Sequence, residues 1–500
     1  MEDEYITSDQ SSRLSSRVNG HLPFNLRMPL LLSRLKINVE PTLIILSLCV
    51  GILITVVPLF TFWGRCVEVA DQYLPTKLPR NLENNKIKCS NIFSINETIL
   101  RNGVEEDIAE MKIYFQLAGG IPTLISSPIL GLWSDLYVIY SGLQLFTTLY
   151  YEKINMWYPL IFAEIVMGCF GGIATIFTSA VAILIDDSRK EMNDGGIPLR
   201  ITITTAFQSL FLLFGNYLAS YFMVPATINI VEHVNSYIIL IFISFISSII
   251  IFIYTVIFVK TNKVEENVPN ETIWKTFGSV FSGLIDVLKI PRRGYLRCVI
   301  NISMLLVFID CMTSDPSLFV LLLKSTPFYW PDVTFTYYVM LKTAVGCIGM
   351  TLIPLILSYF NIHGKDSILL MIGFGAATII ALLTAFAGSD YLIFIGGSLY
   401  FFAAVTQPGF RTFLPKLVGE DQTARLFTLI SLLYVIAPII SSSILNVIYE
   451  KTFKEWPGFV FVIIGIINCF GTLFQVINHC LLLPIWKEDT INYNILENTE

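Results

Sequence analysis

Charge is scarce in this sequence. Of its 500 residues, 14% are Asp, Glu, Lys or Arg and 54% are hydrophobic. Soluble domains carry about 25% charged residues, so this composition cannot cover a soluble surface and the excess apolar area must face lipid. The formal net charge of −6 also leaves nucleic acid no basic surface to bind. The composition predicts a protein embedded in a lipid bilayer.

Motifs for enzymatic chemistry are missing as well. The sequence has no GxxxxGK[ST] loop, which disfavours an ATP-driven pump, and no HExxH or GxSxG that would support a membrane enzyme. The nine cysteines show no CxxC or His-rich spacing, so we expect no metal site and no cofactor. The four histidines fall in loops, in tails or near span ends, which predicts that no buried histidine relay exists.

Long apolar segments are abundant. Roughly 20 apolar residues in a helix cross a bilayer core. Such segments lie near 41–63, 112–134, 136–153, 157–185, 199–223, 236–259, 296–323, 333–359, 366–387, 390–412, 425–449 and 457–484. They predict an all-α membrane protein with about twelve spans in two bundles of six. Gly171 and Gly172 in the fourth span favour either a hinge or ordinary close packing.

The polar segments predict the domain boundaries. Residues 1–38 form a cytoplasmic tail, 39–259 an N-terminal six-helix bundle with an outer loop at 64–111, 260–294 a cytoplasmic linker, 295–484 a C-terminal six-helix bundle, and 485–500 a second cytoplasmic tail. The basic residues of the linker place it inside, as the even number of spans requires. Tyr493–Leu496 matches a tyrosine-based sorting signal, so both the plasma membrane and the endolysosomal membrane are candidate locations.

The predicted outer loop carries three residues with chemistry of their own. Asn96 lies in an Asn-Glu-Thr glycosylation sequon, which is usable only on the lumenal side. Cys66 and Cys89 lie in the same loop, and outside compartments favour disulfides. The pair is either a disulfide or two unpaired thiols.

Charged residues inside the spans are the candidate site residues, because each costs at least about 2.5–3.5 kcal/mol in the bilayer. Arg411 is the strongest candidate, either as an anion contact or as a residue that extends to the headgroups. Asp310 and Lys342 either pair with each other or contact solute. Asp186 and Asp310 are positioned to bind a coupling proton, although Asp186 is also consistent with a charge at the headgroups.

Several short motifs resemble a known transporter family. They are Val39–Pro41, Cys89–Asn91, Gly131–Asp135, Ser325–Pro327 with Trp330, and Arg411 followed by Lys416–Val418 and Leu426-Phe427. Their order over about 39–484 resembles solute carrier family 46 of the major facilitator superfamily, in which two bundles rock around a site near the membrane midplane. The resemblance places Arg411, Asp135 and Asp186 at positions tied to transport. It implies a carrier of small organic anions, often driven by protons, with substrates that include folates, cell-wall fragments and cyclic dinucleotides.

The sequence also departs from the folate carrier of that family. Thr205 replaces an acid in the fifth span, Met312 stands near the place of a histidine, and Tyr329 replaces a cysteine. These changes argue against folate and leave proton coupling open. Leu136 directly follows Asp135, so a loop with a glycine and two basic residues is missing and the third span is short. The chain is therefore either a divergent carrier or the translation of a gene model from which a segment was lost.

Three functions compete. A secondary active transporter of small organic anions predicts a cavity between the bundles with Arg411 or other polar groups in its wall. A transporter-like receptor or scaffold that no longer transports is the alternative, which the missing basic loop favours. A membrane enzyme is the weakest hypothesis, because no convergent acid–base set is present.

Overall fold

The structure is a computed structural model. It describes residues 38–73, 82–90, 98–126, 135–191, 197–259, 288–290, 292, 294–314, 316–325, 327–360, 364–418 and 420–498. Within these ranges the regular elements are all helices. The end of the molecule that carries residues 64–111 is called the outer end, following the predicted topology.

The described residues of the first half form eight helices. They are α1 (Glu40–Tyr73), α2 (Leu82–Ser90), α3 (Thr98–Ser126), α4 (Asp135–Tyr150), α5 (Trp157–Cys169), α6 (Gly172–Glu191), α7 (Ile197–Phe222) and α8 (Ile230–Phe258). In this half α1 packs on α7 and α8, and α3 packs on α5. The helices follow the predicted spans, with α5 and α6 together at the position of the fourth.

In the second half the part of the chain that the structure describes also forms eight helices. They are α9 (Leu296–Thr313), α10 (Pro316–Lys324), α11 (Asp332–Tyr359), α12 (Lys365–Ala385), α13 (Asp390–Ala403), α14 (Thr406–Phe413), α15 (Glu420–Thr452) and α16 (Phe459–Asn498), with a 3₁₀ turn at Leu414–Leu417 after α14. In this half α12 packs on α13 and α16, and α9 packs on α15 and α16. The two halves meet where α11 packs on α7 and where α15 packs on α3 and α6.

Eight helical stretches of the described residues are long and apolar enough to cross a membrane. The predicted second to fifth spans do not meet that criterion as single stretches. For the third and fourth spans the reason is helix length, because the described part of α4 has 16 residues and α5 has 13. All the same, a helix or helix pair lies at each of the twelve predicted positions, so the order of the predicted spans is kept.

The fourth span is broken where its two glycines lie. Gly171 and Gly172 have φ angles of +96° and +70°, a region that residues with a side chain rarely adopt. The backbone therefore turns between α5 and α6. The hinge interpretation of this glycine pair matches the geometry better than close packing does.

Other glycines act through close packing. A Cβ atom on Gly168 of α5 would lie 2.2 Å from the carbonyl oxygen of Gly119 in α3, and one on Gly349 of α11 would lie 1.9 Å from the carbonyl oxygen of Phe401 in α13. The absence of a side chain lets these backbones touch, as is usual for helices packed in membranes. Each half thus contains a helix pair held at a separation that only glycine permits.

The helices at the outer end extend beyond the predicted spans. α1 continues to Tyr73 and α3 begins at Thr98, so much of the predicted loop 64–111 is helical. The Arg65 guanidinium donates two hydrogen bonds to Asp107 at 3.0 and 3.1 Å, which ties the two extensions together. Similarly, α16 continues to Asn498 through the region predicted as a tail.

A disulfide joins Cys66 of α1 to Cys89 of α2, with the two Cα atoms 5.9 Å apart. This confirms the disulfide among the two alternatives that the sequence allowed. Both cysteines are buried against Trp63 and Phe62 of α1 and their neighbours. The bond therefore fixes the short helix α2 on the outer end of α1. Asn96, the predicted glycosylation site, lies outside the described residues.

Candidate functional site

Arg411 links the two halves of the molecule. It lies in the last turn of α14, and its Nη1 donates to Thr205 Oγ1 at 3.2 Å and to Gln208 Oε1 at 3.3 Å. Both acceptors belong to α7 of the first half. They are neutral, and in the described residues Arg411 forms no ion pair. Within the part of the chain that the structure describes, its positive charge is therefore held by dipoles and not cancelled by a carboxylate.

The remaining N–H groups of Arg411 lie at a cavity. Nε and Nη2 donate no hydrogen bond within the described residues, and they are not among the fully enclosed polar atoms. The cavity has a volume of about 330 Å³. Its wall consists of Ile173, Phe177, Val181, Gln407, Phe410, Arg411, Leu414, Phe427, Ile430 and Tyr434. An arginine presents up to five N–H donors in a planar fork, so this side chain can contact an anion here without losing its contacts to α7.

Two further cavities adjoin the first. One of about 270 Å³ lies mainly in the first half, and one of about 160 Å³ lies between the halves. Ile173 lines all three cavities, and Tyr434 lines both the first and the third. The three cavities therefore lie next to one another, between α14 and the outer part of α3.

Glu164 of α5 lies in the wall of the second and third cavities. Tyr140 Oη donates to Glu164 Oε1 at 3.2 Å, and Lys112 lines the second cavity with it. Glu164 was not among the site residues predicted from the sequence. The available signal was an acid inside an apolar span, which is rarely present without a function.

Asp310 of α9 is connected to the same space through Gln407. Gln407 Nε2 donates to Asp310 Oδ2 at 3.1 Å, and Tyr434 Oη donates to Gln407 Oε1 at 3.4 Å. Gln407 and Tyr434 both line the cavity at Arg411. A carboxyl group and a guanidinium of the second half are therefore separated by one glutamine.

Lys342 of α11 does not pair with Asp310 in the part of the chain that the structure describes. Its Nζ lies 4.6 Å from the centre of the Tyr400 ring and 5.6 Å from that of Phe319. Ring faces can hold a cation where no carboxylate is near. The expected ion pair is thus replaced by two cation–π contacts, and a direct contact of Lys342 or Asp310 with solute stays a prediction.

Two other predicted site residues cannot be placed. The backbone of Asp135 starts α4 and that of Asp186 lies in α6, but the side chains of both are outside the described part of the structure. Their roles in transport stay predictions. No group of three or more metal-ligating side chains occurs among the residues that are described.

His233 is buried near the end of a span, although a single histidine does not form the relay whose absence the sequence predicted. It lies in the first turn of α8 and is 1% exposed. Its ring packs edge-on against Trp63 and Tyr237, each with centroids 4.8 Å apart. The sequence pattern failed because the apolar run begins only near residue 236, whereas the helix begins at Ile230 and its first turn is covered by α1.

His233 and Tyr237 face two charged residues of the second half. Tyr237 Oη donates to Asp332 Oδ2 at 2.5 Å, and His233 Nε2 lies 3.6 Å from the same oxygen. Lys324 forms an ion pair with the other carboxylate oxygen of Asp332. This group of His233, Tyr237, Lys324 and Asp332 is called the outer cluster, and it connects α8 to α10 and α11.

A second contact at the outer end involves Glu105 of α3. Glu105 is 2% exposed, and its carboxylate lies 3.9 Å from the Arg101 guanidinium. Arg101 lies 4.5 Å above the ring of Tyr329 from the second half. Burial raises the pKa of the Glu105 carboxyl to about 8, and Arg101 offsets this only in part. This carboxyl therefore holds a proton at neutral pH.

Comparison with known proteins shows relatives in one transporter family, although no protein-family profile matches the chain. The chain is 22% identical over 252 residues to the probable peptidoglycan muropeptide transporter SLC46 of Drosophila melanogaster, a match that covers 48% of this chain and about half, 47%, of that protein. It is 24% identical over 394 residues to the human lysosomal proton-coupled steroid conjugate and bile acid symporter SLC46A3, covering 76% and 81% of the two chains. These relatives confirm the resemblance to solute carrier family 46.

Solved structures confirm the fold. A point mutant of the nucleoside transporter NupG superposes with a TM-score of 0.53 at 12% identity, over 88% of this chain and all of that one. The human organic anion transporter MFSD10 superposes with a TM-score of 0.55 at 12% identity, over 87% and 99%. The chain therefore has the fold of the major facilitator superfamily and is a multi-pass membrane protein whose relatives are transporters and not enzymes.

Proposed function

We propose that this chain is a secondary active transporter that moves a small organic anion through the cavities between its two halves. The observation that carries the proposal is Arg411, whose charge is not cancelled by a carboxylate in the described residues and whose Nε and Nη2 groups lie at a cavity of about 330 Å³. A buried cation without a counter-ion is costly in a bilayer. An anionic solute bound at Arg411 lowers that cost, because its negative charge balances the positive charge of the guanidinium.

The wall of this cavity supports a solute that is partly apolar. Apart from Arg411 and Gln407, the wall is aliphatic and aromatic, with Phe177, Phe410 and Tyr434 among its members. Binding sites of this kind bury an apolar body and orient it with a few polar groups. The best match is an organic anion with a ring system or acyl body. The two relatives act on a muropeptide and on steroid conjugates and bile acids, as their names state.

A proton is the proposed coupling ion. Glu164 faces the second and third cavities and accepts a hydrogen bond from Tyr140, while Asp310 accepts one from Gln407. An acid that changes its protonation when a neighbouring anion binds couples the two species by linkage. Asp186 and Asp135 stay candidates for the same role on the strength of the family resemblance. The human relative is named as proton-coupled and lysosomal, which supports an acidic outer side for this chain.

Uptake by proteoliposomes tests the proposal. Vesicles that contain the purified chain, with its outer end facing the external medium, are given a labelled steroid sulfate, a bile acid or a muropeptide at acidic and at neutral external pH. We expect uptake of at least one probe above that of empty vesicles, faster at acidic external pH and reduced by a protonophore. Equal accumulation by vesicles with and without the protein, for every probe, contradicts the proposal.

One observation favours the alternative of a receptor or scaffold that does not transport. The described part of helix α4 has 16 residues, which at 1.5 Å per residue spans about 24 Å, less than the roughly 30 Å of bilayer hydrocarbon. A helix that does not cross the whole bilayer is less firmly fixed in the first half. That half is then less able to move as one rigid body. Saturable binding of a probe, without accumulation in the vesicles, distinguishes this alternative from transport.

A further inference from the structure

The second cavity, of about 270 Å³, brings together polar side chains from three helices. They are Lys112 and Gln116 of α3, Tyr140 and Gln144 of α4, and Glu164 of α5. The rest of its wall is largely apolar, and both α1 of the first half and α10 of the second half contribute to it. A few polar groups that converge on an otherwise apolar cavity are the usual form of a site for a small molecule.

Lys112 and Glu164 face this cavity without touching each other. Lys112 is the nearby positive charge that acts on the Glu164 carboxylate, yet its amino group forms no ion pair in the part of the chain that the structure describes. A Cβ atom on Gly119 would lie 3.1 Å from Glu164 Oε2, and Lys112 precedes Gly119 on α3 by two turns, about 10–11 Å of helix rise. The two charges are therefore held apart on the wall of one cavity.

An anionic group bound at Lys112 changes the balance at Glu164. It forms a charge-assisted hydrogen bond with the ammonium group, and it cancels the positive charge that favours the ionised form of Glu164. The anion also repels the Glu164 carboxylate directly, so both effects favour a proton on that carboxylate. Anion and proton thus each strengthen the binding of the other, which is the sign that symport requires.

The other groups around Glu164 do not reverse this sign. From α4, Tyr140 donates to Glu164 and Tyr137 lines the same cavity, while Tyr434 of α15 faces Glu164 across the third cavity. Tyrosine hydroxyls have a pKa near 10 and are neutral at physiological pH. The wall residues from α1 and α10 are not titratable. Lys112 is therefore the charge that sets the response of Glu164 within the described residues.

We propose that the second cavity is an anion-binding site of its own, in which Lys112 binds the charged group of the solute and Glu164 takes up a proton as the solute binds. The ligand class is an organic anion, a carboxylate or a sulfate, with an apolar body against α1 and α10. Because α3 begins at the outer end, a solute from the outer side meets Lys112 before Arg411. The inference rests on the proposed function, since it assigns the two cations to successive positions of one solute.

Calorimetry on the purified full chain in detergent tests this site. The probe is a steroid sulfate, whose own charge is the same in acid and at neutral pH, so any pH dependence belongs to the protein. Titrations in two buffers of different ionisation enthalpy measure the protons taken up per anion bound. We expect two binding events in the parent. In Arg411→Ala the remaining event should take up a proton and be at least about fivefold tighter in acid, the lower end for coupled sites.

Three variants assign that remaining event. Lys112→Gln should remove it, whereas Lys112→Arg should keep it, because a guanidinium also binds a sulfate. Glu164→Gln should bind the probe without proton uptake and with the same affinity at both pH values. Lys153→Gln changes an exposed lysine of the same half and should leave both events as they are in the parent.

The inference is overturned if a folded Arg411→Ala protein binds no steroid sulfate, if Lys112→Gln leaves its binding unchanged, or if no proton is taken up. Should Arg411→Ala fail to fold, the loss of one of the two parental events in Lys112→Gln decides the question. Uptake measurements separate the two proposals. Uptake by a parent without a Lys112-dependent event rejects only this site, whereas such an event without uptake of any probe rejects transport and retains the site.

Discussion

The guanidinium of Arg411 donates to the hydroxyl of Thr205 at 3.2 Å, from the second half of the molecule to the first. The family resemblance expects an acid where Thr205 lies. A carboxylate at that position would form an ion pair with Arg411, whereas the hydroxyl and the neighbouring Gln208 amide only orient it. Among the described residues Arg411 is therefore held by neutral groups, which under the proposed function leaves its charge for a solute.

Removing this cation should strongly reduce transport. Arg411→Ala is expected to lower anion uptake by about tenfold to a hundredfold, as for lost hydrogen bonds to a charged group. Arg411→Lys should recover little of it, because lysine lacks the planar fork that contacts an anion and α7 together. Both variants must reach the membrane in normal amounts. Full uptake by the alanine variant would reduce Arg411 to a residue that extends towards the headgroups.

Glu164 should affect the pH dependence of uptake. Glu164→Gln keeps a hydrogen-bond acceptor for Tyr140 but cannot exchange a proton, so we expect slower uptake with a flatter response to external pH. Glu106→Gln provides a control, since Glu106 is an exposed acid on α3. If the two variants have the same pH profile as the parent, Glu164 is not a coupling residue and only packs the cavity wall.

Glu105 should make the protein more stable in acid. Its pKa is about 8 in the folded state against the ordinary value of 4.5, so between these values the folded state holds a proton that the unfolded state has lost. The Glu105 contribution to stability therefore falls as pH rises from about 5 to about 8. Glu105→Gln should remove part of that fall in the melting temperature. Glu110→Gln, at an exposed position on the same helix, should leave it unchanged.

Close contact of α11 and α13 predicts a sharp difference between two glycines. Gly349→Ala places a Cβ atom 1.9 Å from the Phe401 carbonyl oxygen, so the helices must separate, at a cost of about 1–3 kcal/mol. Gly375→Ala on α12 meets nothing within 4 Å and should be neutral. Melting temperatures in detergent compare the two variants, and equal values would show that α11 and α13 are not held by this contact.

The length of α4 predicts that an extended chain is more stable. Inserting about a dozen residues after Asp135, with one glycine and two arginines, lengthens the third span towards the roughly 30 Å of hydrocarbon and restores basic charge inside. We expect a higher melting temperature and faster uptake. If the chain with the 16-residue helix performs as well as the extended one, the short span is an adaptation and no segment is missing.

Periodicity and composition predicted the helices well, because a bilayer fixes both the length and the polarity of each span. Breaker residues account for two interruptions. Gly171 and Gly172 lie at the break of the fourth span, and the break between α13 and α14 at Ala404–Val405 lies four residues before Pro408, where a proline removes a helical hydrogen bond. Periodicity and composition did not predict the contacts between helices. Asp310 and Lys342 are neighbours by helix order, yet Gln407 and the Tyr400 ring are their partners.

His233 shows a second limit of sequence reasoning. A histidine before an apolar run resembles a loop residue, and its burial depends on Trp63, which is 170 positions away along the chain. Glu164 is different, because an acid within an apolar span is visible in the sequence. Its candidate role became visible only from its hydrogen bond with Tyr140 and from the two adjoining cavities that it lines.

The break between α5 and α6 places one residue at a joint. Ile173 directly follows the left-handed Gly172 and lines all three cavities. A backbone rotation at Gly172 would therefore move one wall residue of all three cavities at the same time.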